Sequence, residues 1–248
     1  MKATRKKKDK GRSRQRTKNH SHCTSVDLVS ASGKHAKPFF VLKGKVKPRV
    51  GDHRVTEDGQ LWDVPEGTGW SVTESAYMTD EVWEDEFTDH CVREMRSFLD
   101  EDQKGDYQVL ILDGFVSRTS TFRALRRFLD AKIFLISLPS HTSADLQPLD
   151  LTIFGPAKSK TDSEYRKHAR FYFQNDGDPV IHDWEPPGII YKGFKAAATT
   201  ENIVSGFRKA DVFPFRRPTI DDEMFLGSLL FFKSEDTETV WMKINLVE

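Results

Sequence analysis

Apolar positions along the chain follow two periods. Residues 109–112 (VLIL) and 133–138 (IFLISL) are short, almost unbroken apolar runs, the pattern of strands buried on both faces of a parallel sheet. Between them Thr119 or Ser120 can cap a short helix whose apolar positions Phe122, Leu125 and Leu129 share one face. Strand, helix and strand of this length make a βαβ crossover, which is right-handed in nearly every sheet. Upstream, a partly alternating stretch from His22 to Ser30, a turn at residues 31–34 and the run 38–43 predict an antiparallel hairpin or meander.

A 3.6-residue period begins after Thr79. Thr79 predicts an N-cap, Asp80 and Glu81 suit the positive end of a helix, and Met78 with Trp83 matches a hydrophobic staple. Val82, Trp83, Phe87, Cys91, Met95, Phe98 and Leu99 then form one stripe that should pack on a sheet, leaving Glu84, Asp85, Glu86 and Asp89 as a solvated face. Residues 47–77, rich in Gly, Pro, Asp and Thr, predict a loop with a short strand near Trp70. Past Gln147-Pro148 a helix is expected through Phe154, kinked at Pro156 because proline removes an amide donor. Irregular connections are expected at residues 175–179 and at Pro186-Pro187-Gly188, then a helix over 201–210 with Ile203, Val204 and Phe207 inward. The boundaries predicted are a basic disordered tail over 1–21, an α/β domain over 22–216 and a C-terminal extension over 217–248 in which the pattern gives no clear element.

Charge changes this picture. The formal net charge is zero, yet residues 1–20 hold ten Lys or Arg against the single Asp9. Such a block contacts phosphates, serves as a nuclear import signal, or is merely a solvated tail. The longest apolar run, 225–232, is far below the ~20 residues of a membrane helix, so no membrane association is expected. Two cysteines, Cys23 and Cys91, argue against a disulfide framework and fit a reducing intracellular compartment.

The candidate chemistry lies beyond strand ends, where open α/β sheets place it. Asp113 closes the first apolar run, and Asp150 follows the second after the helix-opening Gln147-Pro148. Paired carboxylates there hold hard divalent ions, Mg²⁺ or Mn²⁺, for displacement at phosphorus; equally, Asp113 can cap a turn with Gly114 and Asp150 can sit in a helix first turn. Arg118, Arg123, Arg126 and Arg127 lie off the Phe122/Leu125/Leu129 stripe, and Lys158, Lys160, Arg166, Lys167 and Arg170 form a second basic stretch. Both suit a polyanionic partner, and both also suit a solubilising face.

The wording of these segments narrows the choice. Leu112-Asp113-Gly114, Pro139-Ser-His141-Thr142-Ser143 and Gln147-Pro148-Leu149-Asp150 occur in that order, preceded by ASGKHAKPFFVLKGK and WSVTESAYMTDEVWEDEF and followed by NIVSGFRKADVFPF. Over residues 22 to 216 the chain resembles the DDE superfamily endonucleases, the catalytic domains of pogo- and mariner-like transposases. The resemblance implies an RNase H-like mixed sheet flanked by helices, with Asp113 and Asp150 as catalytic, metal-binding carboxylates and His141 as a loop contact to nucleic acid. It also implies a nuclear, DNA-binding, transposable-element-derived protein, with homo-oligomerisation left open. The family's first catalytic Asp lies on a first strand, and the segment before His22 holds no apolar run. The expectation is therefore a domain lacking that strand, which binds nucleic acid but is catalytically incomplete. The alternative is an active Mg²⁺-dependent DNA endonuclease or transposase whose remaining carboxylate comes from a longer product or a partner.

Overall fold

The computed structural model describes residues 22–112, 121–138, 142–174, 181–182 and 184–216. The chain divides into two units, Met1–Pro214 and Phe215–Glu248, and every element below belongs to the first. The expected tail and C-terminal extension lie outside the described residues.

The hairpin forms as expected: β1 (Cys23–Val26) pairs antiparallel with β2 (Phe39–Lys43), Cys23 opposite Leu42. β3 (Gly69–Thr73) adds in parallel to the other edge of β2, Phe40 opposite Trp70. Side chains alternate across a strand, and β2 has no polar face: Phe39 and Val41 point to one side, Phe40 and Leu42 to the other, all buried. The first pair joins the main core. The second meets Val55, Leu61 and Trp70, with Ile190 and Tyr191 against them. Fully burying one such side chain contributes about 1.5–3 kcal/mol, so β2 anchors both layers.

The long amphipathic segment starts where its cap predicts. Thr79 Oγ1 accepts from the Val82 amide at 3.3 Å, opening α1 (Asp80–Val82). A π-helical turn over Trp83–Phe87 leads into α2 (Thr88–Ser97). Trp83 and Phe87, four positions apart, both lie on the core face, rings 4.7 Å apart. Thr88 donates from both its backbone amide and its hydroxyl, the latter at 2.7 Å, to the Trp83 carbonyl, closing the wider turn. Inside α2, His90 Nε2 lies 2.9 Å from the Lys37 carbonyl and Nδ1 2.7 Å from an Arg93 nitrogen. A carbonyl can only accept and a guanidinium only donate, so the ring is neutral with its proton on Nε2. Burial is the main reason its pKa is held below the usual histidine value.

β4 (Gln108–Leu112) and β5 (Ile133–Ser137) form a separate parallel pair, Val109 opposite Phe134, joined by α3 (Phe122–Asp130). Two corrections arise here. The strands are covered on one face only: Leu110, Leu112 and Ile133 are buried, while Val109, Phe134 and Ile136 are about half exposed. And α3 turns its Phe122/Leu125/Leu129 stripe outward, Phe122 being 82% exposed, and buries Ala124 and Phe128 instead. The cap is Thr121, one or two positions later than expected. With the opposite stripe inward, the arginines are free to reach α1 and α2.

The two sheets share one core. Phe39 and Val41 of β2, the α1–α2 stripe, Leu110 and Leu112 of β4, Phe128 of α3 and Ile133 of β5 form a single buried cluster, with Val26 of β1 packed on it. Among the described residues, β1 pairs with β2 alone and β4 with β5 alone, so each presents an unpaired edge beside that core.

The remaining helices are α4 (Ser143–Leu146), α5 (Pro148–Thr152), α6 (Phe154–Gln174), α7 (Pro186–Ala197) and α8 (Thr200–Lys209). The break expected at Pro156 falls instead at Ile153, whose φ of −112° ends α5. Pro156 then sits in the first turn of α6, where its missing amide would have had no helical acceptor. Pro186-Pro187-Gly188 begins α7 instead of forming an irregular connection, for the same reason. Gly193 lets α6 approach α7: a Cβ there would lie 2.7 Å from the Thr161 backbone nitrogen.

Candidate functional site

Asp150 is positioned by its neighbours on both sides. Gln147 is the N-cap of α5 and Pro148 occupies its first turn, which puts Asp150 in the same turn with its amide 3.1 Å from the Gln147 carbonyl. An acid there is favoured by the helix dipole, so this placement alone is compatible with a structural role. The helix that carries it is firmly held. Thr152 Oγ1 donates to the Asn202 carbonyl of α8 at 2.7 Å. Gly206 brings α8 so close that an added Cβ would sit 2.6 Å from the Pro148 carbonyl oxygen. Ile153, Ile203 and Phe194 close the contact below. The Asp150 side chain itself is exposed.

Asp113 follows directly on β4, and the Leu138 amide donates to Leu112 at 2.8 Å just before it, extending the parallel ladder to its carboxyl end. Asp113, Arg118 and His141 lie outside the described residues. Among those described, no group of three or more His, Cys, Asp or Glu converges as a metal ion would require.

The arginines of α3 are engaged with acids. Arg123 Nη1 reaches Asp85 at 3.1 Å and its Nε reaches Glu84 at 3.4 Å. Arg127 reaches Asp89 at 3.5 Å and also donates to the Glu84 carbonyl. Arg126 pairs within its own helix with Asp130. The acidic face of α1–α2, expected to be solvated only, is thus the partner of the α3 arginines. Complementary charge on two neighbouring amphipathic segments was the signal in the sequence for this. On α6 the picture differs: Lys158, Lys160, Arg166 and Arg170 are exposed and carry no ion pair among the described residues, while Lys167 pairs with Glu164. Nearby, burial, with Cys23 and Asp162 beside it, pushes the Tyr165 phenol up to about 12. Burial, then Asp27, pushes the Cys23 thiol up to about 12 as well. Both are held in their neutral forms at ordinary pH.

The family model for DDE superfamily endonucleases matches residues 23–205, from β1 into α8. A curated relative, the MFS-type transporter clz9 of Cochliobolus lunatus, is 23% identical over 226 residues, covering 90% of this chain and 22% of its own length. The chain thus spans about a fifth of that relative. Among the described residues, no helix is long and apolar enough to cross a membrane. No solved structure matches the chain. On the strength of the family match across most of its length, the chain belongs to the DDE superfamily of endonucleases.

Proposed function

We propose that this is a transposase-derived, nucleic-acid-binding DDE domain of RNase H-like architecture that holds DNA without cutting it on its own. The observation that carries the proposal is the row of exposed cations on α6, Lys158, Lys160, Arg166 and Arg170, which have no acidic partner among the described residues and follow directly on the helix that bears Asp150. Unpaired cations are the ones that release counterions when they meet phosphate. The α3 arginines, already paired with Glu84, Asp85 and Asp89, contribute less to DNA contact than α6 does. The basic run in residues 1–20 supplies further phosphate contacts and a nuclear address.

Cation binding is assigned to Asp113 with Asp150, Mg²⁺ or Mn²⁺ being the hard ions such carboxylates take. No reaction step is routed through the ion, because the described residues do not by themselves build a site for it. A mixed-sequence duplex incubated with the protein and Mn²⁺ tests both halves: binding by mobility shift with no strand cleavage is expected. Cleavage lost in Asp113→Ala would overturn the non-cutting half.

One observation favours the alternative reading, an active endonuclease. Among the described residues, β1 and β4 both have an unpaired edge beside a shared core. An extended segment between them would unite the sheets and could bring a further carboxylate towards the strand ends. In that form, supplied by a longer product or a partner, the domain would cut phosphodiesters.

A further inference from the structure

Away from the Asp150 region, a cleft of about 280 Å³ opens between the 52–63 loop and α7. His53, Trp62 and Trp184 contribute aromatic rings to it, Asp63, His168, Glu185 and Lys192 polar groups, and Ile189 an apolar surface. We propose that this cleft takes one unstacked base of a single-stranded nucleic acid. The inference rests on the nucleic-acid reading above and adds the form of the ligand.

The rings are set in place before any ligand arrives. Trp62 Nε1 donates to the His53 carbonyl at 3.1 Å. The His53 ring meets Trp184 edge-on, centroids 4.7 Å apart at 87°, and Trp184 is stacked on His182 at 4.5 Å and 6°. Trp62 nevertheless remains 44% exposed. One exposed tryptophan is ordinary. Two tryptophans on the wall of one cleft, braced by histidines, are a surface for a flat π-system, and every base has such a face.

The polar groups and the size narrow the choice. Asp63 and Lys192 lie 2.7 Å apart, an acceptor beside a donor, matched to a base edge that carries both an amino group and a carbonyl or ring nitrogen. The volume falls below the about 300–1,000 Å³ that encloses a drug-sized ligand, so a single ring system enters and a duplex does not. A methylated ammonium is the other usual occupant of an aromatic cleft, and a trimethyllysine peptide separates it from a base in the test below.

The test uses the full chain, a fluorescein-labelled mixed-sequence 20-mer as single strand and as duplex, and Trp62→Ala, Trp62→Leu and Trp62→Phe. Trp62→Ala should weaken single-strand binding by roughly 5- to 100-fold, the range of one base–aromatic stack, and leave duplex binding unchanged. Trp62→Leu should behave like Ala, and Trp62→Phe should recover most of the affinity. Unlabelled single strand should also quench the tryptophan emission of the unmodified protein, a readout that needs no variant. Unchanged single-strand affinity in Trp62→Ala, equal rescue by Leu and Phe, no quenching, or displacement of the strand by a trimethyllysine peptide would each overturn the cleft assignment while leaving DNA binding elsewhere intact. Failure of the unmodified protein to bind either oligonucleotide would overturn the nucleic-acid reading and this inference together.

Discussion

The Thr152 hydroxyl donates to the Asn202 carbonyl at 2.7 Å, joining α5 to α8 across fifty positions of chain. That bond and the glycine next to it fix the helix turn on which Asp150 stands. Gly206→Ala therefore pits two effects against each other. Alanine is the better helix former by about 1 kcal/mol, but its Cβ would fall 2.6 Å from both the Pro148 oxygen and Thr152 Oγ1. The clash should win, with a net loss of up to about 2 kcal/mol and a Tm lower by up to roughly 8 °C. Thermal unfolding measures it, and an unchanged or higher Tm would mean α8 does not clamp α5.

Arg123→Ala breaks contacts to the half-exposed Asp85 and the more buried Glu84, made by an arginine that is itself exposed. Exposed pairs contribute about 0–1 kcal/mol, so urea unfolding should show a loss within that range. DNA affinity should change less than for substitutions on α6. A larger fall in affinity for Arg123→Ala than for Lys158→Ala would place the DNA on α3.

Asp27, just past β1, gives a pH signature. Burial pushes its carboxyl up to about 6, against the lowering effect of the Ser25 hydroxyl at 3.0 Å. A raised acid binds its proton more tightly folded than unfolded. Its contribution is therefore fully present below the unfolded value near 4 and is lost as pH rises through about 6. The full linkage would be about 3 kcal/mol, and less here because the side chain keeps partial contact with solvent. Urea midpoints at pH 4, 5, 6 and 7 should fall for the parent relative to Asp27→Asn, and parallel curves would contradict this.

Millimolar Mn²⁺ tests the carboxylate pair. A ligand at about 100 times its Kd stabilises by roughly 2.7 kcal/mol, so a rise in Tm of up to about 5–10 °C is expected. Asp113→Asn or Asp150→Asn should abolish it. If metal does nothing and both variants are less stable than the parent, the two acids are structural caps.

Local signals in the sequence were enough for the hairpin, the Thr79 cap, the parallel β4–β5 pair and the Gln147-Pro148 start of α5, because each depends on a few adjacent residues. The face that α3 buries was not legible. Phe122, Leu125 and Leu129 make the wider apolar stripe, yet Ala124 and Phe128 pack into the main core while Arg123 and Arg127 meet Glu84, Asp85 and Asp89, partners distant in sequence. The start of α7 was obscured by Pro186 and Pro187, which break helices everywhere except in a first turn. Of the site, Asp150 could be placed from sequence. The aromatic cleft could not, since Trp62 and Trp184 meet only through the packing of a loop on α7.

The most direct measurement is the salt dependence of DNA binding, by anisotropy, for the parent and for Lys158→Ala/Lys160→Ala between about 50 and 200 mM NaCl. The log–log slope reports the phosphates neutralised, about 0.9 each on duplex DNA. Binding by the parent, with a slope shallower by roughly 1–2 in the double variant, is the predicted result. No binding at the lowest salt, or identical slopes for the two proteins, would contradict a nucleic-acid interface on α6.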